Sequence, residues 1–172
     1  MRTASYILIA LIVVGMGSIS HARSKEHTYG SFENVQFVKN YDGDSITFYI
    51  PGVPSIIGND MKIRIRGIDT AELKKKTCRN EITKGREAKK MVKSLLRRAK
   101  VINLHRVGRG KYFRFVADVE FDGKDLASTL KKNGLAVEYN GGTKNHDWCR
   151  GKSSFKMNEI IVNEKKVLQF FN

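Results

Sequence analysis

The sequence is short of cysteine, proline and acid. Two cysteines, Cys78 and Cys149, in 172 residues exclude a disulfide-dense scaffold. His146 lies near Cys149, but four ligands at zinc-site spacing are missing, which argues against a structural zinc. The two prolines, Pro51 and Pro54, fall together in PGVPSIIGND, so that segment reads as a hairpin loop between strands. No internal repeat or low-complexity block is visible, and GGTK at 141–144 is too short to be a phosphate-binding loop with its helix. Acids are few: 17 Asp and Glu stand against 32 Lys and Arg, a formal net charge of +15. Such an excess attracts a polyanion in a salt-dependent way. Nucleic acid is the expected partner of one compact basic domain; a basic soluble surface or an anionic lipid are the alternatives.

The apolar run at 6–16 is too short to span a bilayer and has the length of a signal h-region. Arg2 precedes it and Ser20-His21-Ala22 follows, so residues 1–22 read as a signal peptide cleaved after Ala22, an uncleaved anchor being the alternative. The remaining chain carries a net +14, and its length suits one domain. Export, to the periplasm or the medium, takes the two cysteines into an oxidising compartment. A Cys78–Cys149 disulfide is then expected, closing a long loop at about 4 kcal/mol of stabilisation, with two free thiols as the alternative.

Residues 34–50 read as two strands broken at Asp42-Gly43, and 61–69 alternate as one half-buried strand. Ala88, Met91, Val92, Leu95, Leu96 and Ala99 form one helical stripe, with Lys89, Lys90, Lys93, Arg97 and Arg98 opposite. Two further strands follow with Val107-Gly108-Arg109-Gly110 as their turn. Asp125 caps a short helix with Leu126 and Leu130 inward, closed by Asn133-Gly134, and another helix begins near Ser153 or Ser154. The order is α+β: a five-stranded OB-type β-barrel with about three packed helices.

The chemistry-bearing residues sit in a few pieces. Asp42-Gly43-Asp44 lies between strands; Arg64, Asp69, Thr70 and Glu72 follow in IRIRGIDTAE; Arg114 ends GKYFR. These supply hard oxygen ligands, a carboxylate placed to handle water, and two guanidinium forks, the parts for metal-assisted attack of water on a phosphodiester. Arg66 shares the face of Arg64, either as a third phosphate contact or as a solvated edge charge. Trp148 reads as packing around the disulfide, and Tyr139 as a sheet-rim residue or a base-stacking one.

DGDSITF, IRIRGIDTAE, GREAKKMV, KYFRFVADVEFDGKDL and NGLAVEY come in the order and close to the spacing of the thermonuclease family, the staphylococcal nuclease-like domains, which the chain resembles from about Val35 onward. Residues 23–34 are then an N-terminal extension and 35–172 the domain. The resemblance implies Asp44, Asp69 and the Thr70 carbonyl as ligands of one calcium ion, Glu72, Arg64 and Arg114 as catalytic residues, and Lys111 and Tyr112 as nucleotide-phosphate contacts. It implies DNA and RNA as substrates and 3′-phosphate products. A monomer not inserted in a membrane once its leader is removed is also expected. The chain departs from the family in Ala71, where proline is frequent, in Phe113, where glycine is usual, and in a longer loop at 51–60.

Overall fold

The computed structural model describes residues 27–74, 77–110 and 114–150. The fold is mixed α+β. β1 (Gln36–Asn40) and β2 (Ser45–Tyr49) form an antiparallel hairpin across the Asp42 turn, and β3 (Met61–Ile65) pairs antiparallel with β2 after an excursion that holds the short α1 (Ser55–Gly58). β5 (Ile102–Arg109) and β6 (Phe115–Phe121) are antiparallel, and β6 lies parallel to β3, giving the order β1-β2-β3-β6-β5. β7 (Lys124–Asp125) is a stub on β6. Ahead of β1, the backbone runs beside β5: Tyr29, Phe32 and Val35 donate their N–H groups to the carbonyls of Val107, Leu104 and Ile102.

Alternation buries Ile46, Phe48, Ile63, Ile65, Leu104, Ala117 and Val119 on one side of the sheet. α2 (Arg79–Arg98) covers that core with Ala88, Val92 and Leu96, and α3 (Leu126–Lys132) with Leu126 and Leu130. The expected stripe of the long helix and the Asp125 cap are both present; the Asp125 carboxylate accepts the Ser128 N–H at 2.7 Å. The helix expected from Ser153 or Ser154 lies outside the described residues, as does the proposed signal segment 1–22. Among the described residues no helix is long and apolar enough to cross a membrane.

Two expectations need correction. Residues 61–69 are not one strand: Arg66 and Gly67 form a turn, Gly67 at φ 75°, and β4 (Ile68–Thr70) leaves the main sheet to pair with β8 (Ala136–Glu138). Nor does the chain turn at Val107–Gly110. β5 continues to Arg109, with a register shift between His105 and Gly108 and Arg106 at φ 47°. A bulge, not a turn, absorbs the irregular sequence there.

Cys78 and Cys149 are disulfide-bonded, 71 residues apart in sequence. Cys78 also caps α2, its sulfur 3.4 Å from the Glu81 N–H. Serine preserves a cap, so the Cys78→Ser, Cys149→Ser double variant isolates the cross-link. We expect it to lose about 2–4 kcal/mol of stability in urea unfolding, and reduction of the wild type to give the same loss.

Candidate active site

The site is assembled where the Asp42 turn, the end of β3, β4 and the loop after it meet α2. The Asp42 carboxylate accepts the N–H groups of Asp44 (3.1 Å) and Ser45 (2.8 Å), a tight turn that points Asp44 inward. α2 closes directly on this turn. A Cβ on Gly43 would stand 2.7 Å from the Ala88 Cβ and 2.9 Å from the Thr70 Cγ2, and one on Gly85 would stand 2.8 Å from the Ala71 carbonyl oxygen. Small residues at 43, 85 and 88 therefore let the helix touch both loops that carry the acids. Glu81, one turn before Gly85, accepts the Glu72 backbone N–H at 3.2 Å and ties that loop to the helix.

Asp44 and Asp69 are buried, at 2 % and 3 % exposure, and Arg64 joins them. Its Nη1 donates to Asp44 Oδ1, and its Nη2 donates to Asp69 Oδ1 and to the Ile68 carbonyl, both at 3.1 Å. These bonds use three of the five guanidinium N–H groups. The Thr70 N–H and hydroxyl both reach Asp44 Oδ2, at 3.0 and 3.1 Å. The side chain of Thr70, and not only its backbone, therefore orients Asp44. Burial and the neighbouring Asp42 charge, with a further contribution from Asp69, push the Asp44 carboxyl up to about 6 against the pull of Arg64 and the Thr70 N–H.

Glu72 stands half-buried beside this pair. Sequence reasoning missed its partner: the Lys144 ammonium lies 2.7 Å from Glu72 Oε1 and 2.7 Å from Asp69 Oδ1. Burial acts upward on Glu72, but Lys144, helped by Lys74, outweighs it and holds the carboxyl below its ordinary value. Burial likewise acts downward on Lys144, and the bonds to Asp69 and Glu72 override it and hold the ammonium above the usual lysine value. A signal was available. Cys78 lies six residues after Glu72 and Cys149 five after Lys144, so bonding the two cysteines draws Lys144 toward Glu72.

The other expected residues are placed differently. Arg114 is exposed just before β6 and takes no part in the ion pairs above. The register Arg64↔Val116 puts it two residues from the strand position beside Arg64, on the same side by alternation. Lys111 and Tyr112 lie outside the described residues, as does Phe113. Arg66 is not a solvated edge charge. Its side chain is 9 % exposed beside Asp118 and donates to the carbonyls of Arg106 and Val116. Tyr139 is half-buried, with the Arg64 guanidinium 5.8 Å from its ring centre and its hydroxyl donating to the Gly142 carbonyl. Trp148 is buried next to Cys149, and its carbonyl accepts from Asn80 at 2.7 Å. Among the described residues the ligand atoms of Cys78, Glu81 and Cys149 cluster within 4.8 Å, but the two sulfurs are bonded to each other and so are not thiolate ligands.

A cleft of about 170 Å³ opens beside Asp69, lined also by Val137, Tyr139, Gly141, Lys144 and His146. A larger one, about 500 Å³, lies between β1 and the end of α2, and its lining contains no acid. The smaller cleft is the one with the chemistry.

A family model described as staphylococcal nuclease homologue matches residues 62–166, more than half of the chain. The chain belongs to the staphylococcal nuclease homologue family. Arg64, Asp69, Glu72, Cys78, Arg114, Lys144 and Cys149 all fall within the matched residues, while Asp44 precedes them and is joined to the site by Arg64 and Thr70. No curated protein matches the chain in sequence. A nuclease-like or nucleic-acid-binding function goes with the family, and the basic charge agrees with it.

Proposed function

We propose that the protein is an exported, calcium-dependent nuclease that hydrolyses DNA and RNA without regard to the sugar and leaves 3′-phosphate ends. The observation that carries this reading is one partly buried cluster in which Asp44 and Asp69 meet on Arg64, and Asp69 and Glu72 meet on Lys144. A binding module needs basic charge but has no use for buried acids beside a phosphate path, since they repel the ligand. In support of the barrel, the backbone bonds from residues 29–35 to β5 join the two ends of the strand order, as an OB-type closure requires. The segment 1–22 serves as the signal peptide, and the product is periplasmic or secreted and acts as a monomer.

The donor set fits a calcium ion. Two buried carboxylates of like charge favour a cation, the oxygen-only ligands suit a hard one, and Asp44, Asp69 and the Thr70 carbonyl would hold it. When bound, the ion supplies Lewis-acid polarisation of a phosphate oxygen and a place for water. The chain's own residues do the rest. Glu72, held ionised, takes the proton of the attacking water. Arg64, fixed by both aspartates, presents its remaining N–H groups to a phosphate oxygen without reorganising. Arg114 brings a second fork from the exposed edge, so charge that builds on phosphorus meets preset donors.

Labelled single-stranded DNA incubated with the protein and calcium is expected to give fragments that a polymerase extends only after phosphatase treatment. Fragments extended directly would refute the assigned bond, and retention of intact DNA would favour a binding module. The metal site has its own pH signature. Asp44 keeps its proton up to about pH 6, and that proton must leave when calcium binds. Calcium affinity should therefore rise about tenfold per pH unit below 6 and level off above 7. Titration calorimetry at pH 5, 6, 7 and 8 checks this, and a flat profile would remove Asp44 from the ligand set.

A further inference from the structure

The reading above leaves one charged group unused. Lys144 sits on a strap, residues 139–150, that leaves β8 and crosses the acidic cluster. The strap is fixed at both ends. At its start the Tyr139 N–H donates to the Gly67 carbonyl, and at its end Trp148 is buried, its carbonyl is held by Asn80, and Cys149 is bonded to Cys78. Between these anchors Gly141 and Gly142 adopt φ values of 89° and 85°, which lets the chain fold back over Asp69. The ammonium is thus presented to Asp69 and Glu72 from within the molecule, at an effective concentration in the millimolar range or above.

We propose that Lys144 is a tethered competitor of the divalent cation: it occupies Asp69 and Glu72 in the free protein and makes metal binding depend on an anionic substrate. The inference rests on the metal reading of Asp44 and Asp69. Four carboxylates, Asp42, Asp44, Asp69 and Glu72, face three cations, Arg64, Lys74 and Lys144, for a net −1. A divalent cation alone would turn this to +1, with the metal crowded onto Asp69 beside Arg64 and Lys144. A phosphodiester arriving with it returns the site to neutrality and gives the displaced ammonium a new partner. Without Lys144 the metal alone would neutralise the site. Lys144 is therefore a positioning residue that couples two ligands, and by linkage the coupling acts on both equally. The Cys78–Cys149 bond, by holding the strap down, keeps the competitor in place.

The test is calcium titration by calorimetry of the full chain, with Lys144→Met and Asp69→Asn beside the wild type, each shown by a cooperative melting transition to be folded at the titration temperature. Lys144→Met is expected to bind calcium about tenfold or more tightly than wild type, and Asp69→Asn at least tenfold more weakly. Addition of a nuclease-resistant phosphorothioate oligonucleotide is expected to tighten calcium binding in the wild type and to change it little in Lys144→Met. Equal or weaker calcium binding by Lys144→Met, with Asp69→Asn impaired as expected, overturns the competition and leaves the metal reading standing. Failure of both wild type and Lys144→Met to bind calcium at millimolar concentration overturns the metal reading, and the competition with it.

Discussion

Glu72→Gln is expected to lower the rate of phosphodiester hydrolysis by roughly 10²–10⁴-fold, with the fold and the affinity for single-stranded DNA retained. Glutamine keeps the shape of the side chain and can still accept a hydrogen bond from Lys144, but it cannot take a proton from water. The loop itself does not depend on the carboxylate, because the Glu72 backbone is held by Glu81. Removing a negative charge beside a polyanion should leave DNA binding unchanged or tighter. The measurement is single-turnover cleavage set beside equilibrium binding. A Glu72→Gln protein within tenfold of wild type would show that another group activates the water.

Arg64→Met should have the largest effect on stability. Asp44 and Asp69 are buried, and Arg64, itself only 12 % exposed, lies between them. Deleting one partner of a buried ion pair leaves the other charges uncompensated, a loss of about 3–5 kcal/mol. Methionine fills much of the same volume, so the loss reports charge and not a cavity. Urea unfolding at pH 7.5 in a chelator is expected to show that loss, and calcium should restore part of it by binding the native state alone. The remaining ammonium of Lys144 cannot substitute, since its contacts reach Asp69 and Glu72 but not Asp44. A loss below about 1 kcal/mol, the range of exposed pairs, would mean that the aspartates relax to solvent, and the site would then lack the rigidity that the mechanism uses.

Much of this arrangement is legible in the residues. The apolar stripe of α2, the Asp125 cap and the Asp42 turn are local patterns with local causes, and the structure places them where the pattern does. Arg64, Asp69 and Glu72 are close in sequence and meet for that reason. What is not legible depends on distant partners. The alternation of 61–69 runs straight through Gly67, and only the pairing of β4 with β8, some 66 residues later, explains why the strand breaks. Gly108 and Gly110 look like a turn because a bulge at Arg106 uses the same residue types. Arg66 shares strand parity with Arg64, yet carbonyls of β5 and β6 capture it. Lys144 is the chief omission: nothing in Gly-Gly-Thr-Lys points to an acid, and its position follows from a covalent bond between distant cysteines.

In the proposed function the buried aspartates and Glu72 serve metal-assisted hydrolysis. The most direct measurement is cleavage of single-stranded DNA by the full chain in calcium, then in excess chelator, then with calcium restored. Cleavage in calcium that is lost with the chelator and regained on restoration is the predicted result. Tight binding with no cleavage in any of the three conditions, or cleavage indifferent to the chelator, would contradict it.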